Sequence, residues 1–186
     1  FAPDCIVGHS AGAAVGLRMV LDGAVEPGAV IGINAALLPF GGPMRRIFAP
    51  MAQLFATTQL MPALVARRAG DVRSIRRVLA GTGSTLDEVG TRYYQRLLTR
   101  EGHVAAVLAM MASWDLRSLL DQLGSLRSPL YLVSCSGDKA VSPVQAERVA
   151  AATSNATVIA VDGLGHLAHE EQPGQFAELI SRLCRG

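Results

Sequence analysis

Gly8-His9-Ser10-Ala11-Gly12 seats a serine hydroxyl between a short apolar run and an alanine-rich stretch of helical spacing. This is a G-x-S-x-G turn with a strand before it and a helix after it, the context in which the pattern carries chemical meaning. Gly8 and Gly12 are expected to be glycines for steric reasons, because backbone and helix must pass close to a turn that lifts Ser10 over a sheet edge. The helix start directs free N–H groups and its positive dipole end at the serine, and the Ala11 N–H is the expected donor to a developing oxyanion. A serine hydroxyl is a weak nucleophile at neutral pH. The chemistry therefore needs a histidine to take its proton and a carboxylate to orient that histidine. Asp138, in Ser136-Gly137-Asp138-Lys139, follows the apolar run Leu130-Tyr131-Leu132-Val133. His166, in Gly163-Leu164-Gly165-His166, follows Val158 to Val161. Serine, acid and histidine thus each fall just past a predicted strand, where open α/β sheets place their sites.

Other residues compete for these roles. Asp162 and Asp115 are rival acids, and Asp138 has a rival role as cap of the helix that starts near Pro143. His169 is the rival base, although within Leu167-Ala168-His169-Glu170-Glu171 it reads better as a loop or helix-start residue. His9 reads as a packing or orienting residue beside the turn, and His103 as structural. A His166/His169 pair has no third ligand nearby in sequence, so neither a metal nor another cofactor is expected.

The elements that must position these groups are predicted from periodicity. Asp4 to Val7 reads as a buried strand, and Ala11 to Leu21 as a helix ending near Asp22-Gly23. Ala29 to Ala36, Pro129 to Ser134 and Ala156 to Val161 supply further strands, with helices over Pro143 to Ala152 and Pro173 to Leu183. Strands without strict alternation, separated by helices, indicate an α/β fold: a mostly parallel sheet covered on both sides. Between these parts the pattern is helical and broken by Pro39, Gly41-Gly42, Pro50, Pro62, Gly70 and Gly81-Thr82-Gly83. It is too long for a simple connection. The expected division is therefore 1–36 for the first core strands and the serine turn, 37–114 for an inserted helical cap, and 115–186 for the remaining core.

Composition narrows the field. Of 186 residues, 50% are hydrophobic and 17% charged, enough to bury a sizeable core. A net charge of +2 with 5% aromatic residues argues against a nucleic-acid partner. Cys5, Cys135 and Cys184 are widely spaced and odd in number, which argues against a disulfide framework and for a reducing cytoplasm. Ile47 to Ala66 lacks charge, but Pro50, Pro62, glutamines and threonines interrupt it, so a lid or interfacial helix is expected rather than a membrane span. Nothing at the N-terminus reads as a secretory signal, and the chain reads as the C-terminal part of something longer. Between Leu37 and Ala80, Arg45, Arg46, Arg67, Arg68, Arg73, Arg76 and Arg77 face a single acid, Asp71, a balance suited to an anionic ligand or surface. The opposing reading is a solvated helix face or an attachment surface.

The G-H-S-A-G turn, Ser136-Gly137-Asp138 and Gly163-Leu164-Gly165-His166 together resemble the α/β-hydrolase superfamily. More narrowly, residues 8–21, "GINAALLPF" at 32–40, "MMASWDL" at 110–116 and "GLGHLAHEEQP" at 163–173 look like the magnesium-chelatase accessory (BchO) family of bacteriochlorophyll synthesis. The resemblance implies an α/β-hydrolase fold with a helical cap, and a catalytic triad of Ser10, Asp138 and His166. It also implies tetrapyrrole metabolism, and so a small-molecule acyl or porphyrin substrate; the arginine excess is compatible with that, which makes Arg45, Arg46, Arg67 and Arg68 candidate substrate-binding groups. Magnesium chelatase is a candidate partner, and a non-catalytic accessory or porphyrin-binding role is the alternative. Two departures accompany it. Cys135 stands where the family usually has a glycine, and the family's first strands and second oxyanion donor precede the point where this chain starts. The chain by itself is therefore expected to be inactive.

Overall fold

A computed structural model describes residues 2–38 and 60–185. Within them, strand β1 (Cys5–His9) leads into helix α1 (Ala11–Leu21), and β2 (Ala29–Ile33) follows. Helices α2 (Leu60–Ala69), α3 (Val72–Gly81), α4 (Glu88–Leu98) and α5 (Glu101–Ala112) come next. Then follow α6 (Arg117–Gln122), β3 (Leu130–Cys135), α7 (Val144–Ala151), β4 (Ala156–Val161), the short α8 (Ala168–Glu171) and α9 (Pro173–Cys184). The described strands form one parallel sheet in the order β1-β2-β3-β4.

Two compact units divide the described residues. One comprises 2–38, 81–84 and 116–185, and holds the sheet; the other comprises 60–80 and 85–115, and is helical. Residues 81–84 fall inside the span expected for the cap, yet they pack with the sheet unit. Local pattern could not reveal this, because a Gly-Thr-Gly break looks the same whether it merely turns the chain or reaches a distant loop.

The sheet's central strands are covered on both faces, as their unbroken apolar runs require. Every residue of β2 is buried. On one face Ile31, Ile33, Val133 and Cys135 pack with Ala168, Phe176 and Leu179. On the other, Gly32 lies under Ala13 of α1 and beside Leu132, close enough that a side chain there would already touch both. Each fully buried Leu, Ile or Phe of this kind contributes about 1.5–3 kcal/mol. At β4 most positions are only partly buried, so its apolar run is less enclosed than those of β2 and β3. Helix α1 ends at Leu21 with Gly23 at φ +71°, the left-handed conformation that glycine adopts without penalty.

Helix α9 returns across the sheet and brings its last residue, Cys184, to the first residue of β1, where it forms a disulfide with Cys5 (Cα–Cα 5.5 Å). This corrects the expectation from cysteine count and spacing. Residues 179 apart in sequence carry no local sign of pairing, and only the fold makes them neighbours. The cysteines therefore no longer argue for a reducing compartment. Cys135 is the remaining free thiol, fully buried, and burial pushes its pKa up to about 11, so it is inert. Residues 47–59 of the uncharged stretch lie outside the described residues, and 60–66 are in α2. Among the described residues no helix is long and apolar enough to cross a membrane.

The disulfide should restrict the unfolded chain far more than the folded one. Cys184→Ser is expected to cost about 2–5 kcal/mol, lowering Tm by roughly 5–20 °C in a calorimetric scan. An unchanged Tm, with three alkylatable thiols in the unreduced and denatured protein, would contradict the pairing.

Candidate active site

Ser10 occupies the sharp turn between β1 and α1 with φ 52° and ψ −120°. A non-glycine residue at positive φ costs on the order of 1–3 kcal/mol, and such strain persists only where the surroundings impose it. They do so through backbone bonds. The Ser10 N–H donates to the Ile33 carbonyl (3.0 Å), while the Ser10 carbonyl accepts from Ala36 (3.1 Å) and Ala13 (3.2 Å). Gly8 makes the close approach possible, since a Cβ there would lie 2.5 Å from Ala13 Cα. Gly12 does not share this reason. A Cβ on it would meet nothing within 4 Å among the described residues, because it faces outward in the first turn of α1. Ala11 takes the first helical position, whose amide has no intrahelical acceptor and remains available to a ligand.

The turn after β3 buries Asp138 at 7% exposure. Its Oδ1 accepts from the backbone N–H groups of Ala140 (2.7 Å) and Val141 (2.9 Å). Its Oδ2 faces His166 Nδ1 at 2.8 Å. A carboxylate only accepts, so this contact assigns the proton to Nδ1 and leaves Nε2 as the basic nitrogen. The pair joins the loops after β3 and β4, which are further tied where Ser136 Oγ accepts from Gly163 N–H (2.8 Å). Asp162 is exposed beyond β4 and Asp115 belongs to the helical unit; the carboxylate hydrogen-bonded to this histidine is Asp138. Among the described residues no hydrogen bond joins Ser10 Oγ to His166. In sites without substrate such bonds are often long and tighten on binding.

His9 connects the serine turn to the histidine loop. Its Nε2–H donates to the His166 carbonyl (2.8 Å), and its ring centroid lies 4.7 Å from that of His166 and 4.4 Å from that of His169. Burial pushes the His9 pKa down to about 4, against the opposing pull of that backbone bond, so His9 is neutral at physiological pH. Burial also lowers the pKa of His169, whose Nδ1 is buried without a hydrogen-bond partner among the described residues. Its nearest carboxylate contact is a long one, Nε2 to Glu170 Oε1 at 3.8 Å. Of these neighbouring rings, His166 is the one held by Asp138.

One residue of the site was not singled out from sequence. Asn34, directly after β2, adopts φ 45° and is 4% exposed. Its Nδ2 donates to the carbonyls of Gly165 and His166 (both 3.0 Å), and its Oδ1 accepts from the Cys135 N–H (3.0 Å). It thus ties the end of β3 to the histidine loop. A signal existed: asparagine is among the few side chains that tolerate positive φ, and it stands at the end of an apolar strand. Arg67 and Arg68 are exposed near the end of α2, in the helical unit, while Arg45 and Arg46 lie outside the described residues. Among the described residues no cluster of histidine, cysteine and acidic side chains could hold a metal.

The chain matches the Alpha/beta hydrolase family over residues 1–179. It is 38% identical over 168 residues to the magnesium-chelatase 30 kDa subunit of Rhodobacter capsulatus, covering 90% of this chain and 58% of that protein. The chain thus spans a little over half the length of this relative. Among solved structures it is similar to an α/β-hydrolase fold protein from Burkholderia ambifaria (TM-score 0.70, 19% identity, 95% of this chain and 64% of that one). It is also similar to 2-hydroxy-6-oxo-6-phenylhexa-2,4-dienoate hydrolase from Rhodococcus sp. strain RHA1 (TM-score 0.70, 16% identity, 97% and 63%). A thermophilic esterase from Thermogutta terrifontis gives a TM-score of 0.63 at 17% identity over 97% and 64%. At these identities the solved structures speak for the fold alone. With a parallel sheet, a strained serine turn after a strand and a family match along nearly its whole length, the chain belongs to the α/β-hydrolase family.

Proposed function

We propose that the protein is a serine hydrolase acting on an ester or related acyl group. The observation that carries this reading is the buried Asp138 Oδ2–His166 Nδ1 hydrogen bond of 2.8 Å, which leaves His166 Nε2 basic in the loop that His9 ties to the strained Ser10 turn. In the first step Ser10 Oγ attacks the acyl carbon as its proton passes to His166 Nε2. The carbonyl electron pair moves to oxygen, where the Ala11 N–H donates to it. Collapse of the tetrahedral species expels the alcohol, which takes the proton from His166 Nε2–H. Water then attacks the acyl-serine with His166 again as base, and the acid leaves as Ser10 regains its proton. Asp138 keeps the imidazole in one tautomer and stabilises the imidazolium throughout.

For the substrate we favour a tetrapyrrole ester of bacteriochlorophyll synthesis. Support comes from the relative named as a magnesium-chelatase subunit and from the excess of arginine between Leu37 and Ala80. In this reading Arg45, Arg46, Arg67 and Arg68 take the anionic carboxylates. The same relative's name favours a second reading, an accessory protein that binds a porphyrin or contacts the chelatase without using the triad.

Turnover of p-nitrophenyl esters by the full natural chain separates the two. Ser10→Ala and His166→Ala are each expected to lower kcat by roughly 10⁴- to 10⁶-fold. Asp138→Asn should lower it by about 10⁴-fold, because an amide no longer imposes the Nδ1–H tautomer. If Ser10→Ala supports pigment formation in cells as well as the natural sequence does, the accessory reading replaces the catalytic one.

A further inference from the structure

Residues 82–84, between α3 and α4, belong to the sheet unit and run against both loops that carry the Asp138–His166 pair. The Thr82 carbonyl accepts two backbone N–H groups, that of Lys139 (3.1 Å), the residue after Asp138, and that of His166 itself (3.2 Å). Ser84 is 2% exposed, and its Oγ accepts from the Leu167 N–H at 2.8 Å. Between them Gly83 sits at φ +84°. A Cβ on Gly83 would overlap the Gly137 carbonyl, and a Cβ on Gly165 would overlap Gly83 and Ser84 N. On Gly137 it would lie 2.7 Å from the Leu164 carbonyl. Backbones from three distant parts of the chain meet here at a spacing that leaves no room for side chains.

The acid turn and the histidine loop have no ladder of their own at these positions, so the amides of the buried His166 and Leu167 need acceptors from elsewhere. His166 shows the result most clearly. Its N–H is held by Thr82, while its carbonyl is held by His9 Nε2 and Asn34 Nδ2. The peptide groups on either side of the His166 Cα are thus both held, one by the 82–84 segment and the other by His9 and Asn34 at the ends of the strands.

We infer that residues 82–84 form a strap that positions the Asp138–His166 pair, with Ser84 as a positioning residue that touches no substrate. The inference rests on the proposed role of His166 as base. The strap sets the direction of the imidazole, and a small misalignment there costs rate rather than binding.

Two variants test it in the full natural chain. Ser84→Ala removes the acceptor for Leu167 N–H, and Gly83→Ala keeps every polar group but forces the strap away from Gly137. Both are expected to lower kcat on a p-nitrophenyl ester by about 10- to 100-fold with KM changed less than about two-fold, the scale seen when outer supports of a site are removed. The downfield proton resonance of His166 Nδ1–H should broaden or disappear in both, while remaining sharp in the natural chain. Wild-type kcat in folded variants, or a kcat loss with that resonance intact, would overturn the strap. Absence of turnover in the natural chain would instead defeat the proposed hydrolase reading, and the resonance would still decide the strap.

Discussion

A buried imidazole serves as a directed base only if one of its nitrogens is held and the other is left free. The contact between Asp138 Oδ2 and His166 Nδ1 meets that condition, and most of the local architecture is arranged around keeping it. Asp138 can turn one oxygen to the histidine because the amides of Ala140 and Val141 occupy the other. Parallel pairing of β3 with β4, with Cys135 opposite Val161, brings the two following loops to one end of the sheet. The buried amide of Asn34 then bonds to both the end of β3 and the histidine loop. Each link is a modest interaction, but each satisfies a buried group that would be costly to leave unpaired.

The three neighbouring histidines show how environment separates identical side chains. His9 is kept neutral by burial and spends its Nε2–H on a backbone carbonyl. His169 is also driven toward the neutral form by burial, and its nearest carboxylate contact is a long one. Only the ring of His166 has a buried carboxylate at hydrogen-bond distance. The tilted His9 ring lies directly against that of His166, and because burial keeps His9 neutral it adds no positive charge beside the Asp138–His166 pair.

Much of this was legible in the sequence, for a physical reason. Strand ends in a parallel sheet must converge, so a polar residue directly after each apolar run is already placed relative to the others before any coordinates are known. That rule singles out Ser10, Asp138 and His166, of which the structure sets Asp138 against His166, and Gly8 follows from the close passage of α1. What the sequence hid are contacts made by backbone atoms or across long separations. The Thr82 carbonyl, the Gly83–Gly137–Gly165 meeting and the Cys5–Cys184 bond have no local periodicity to betray them. Gly12 is the opposite case, a motif residue whose assumed steric duty is not seen in the space around it.

The proposed mechanism requires Ser10 to be an activated nucleophile. Reaction of the full natural chain with a fluorophosphonate probe, followed by peptide mapping of the adduct, tests it with little assumption about substrate. One modified residue, Ser10, is expected, with loss of the adduct in His166→Ala. A folded protein that takes up no probe, or takes it up at another residue, would rule out Ser10 as the nucleophile.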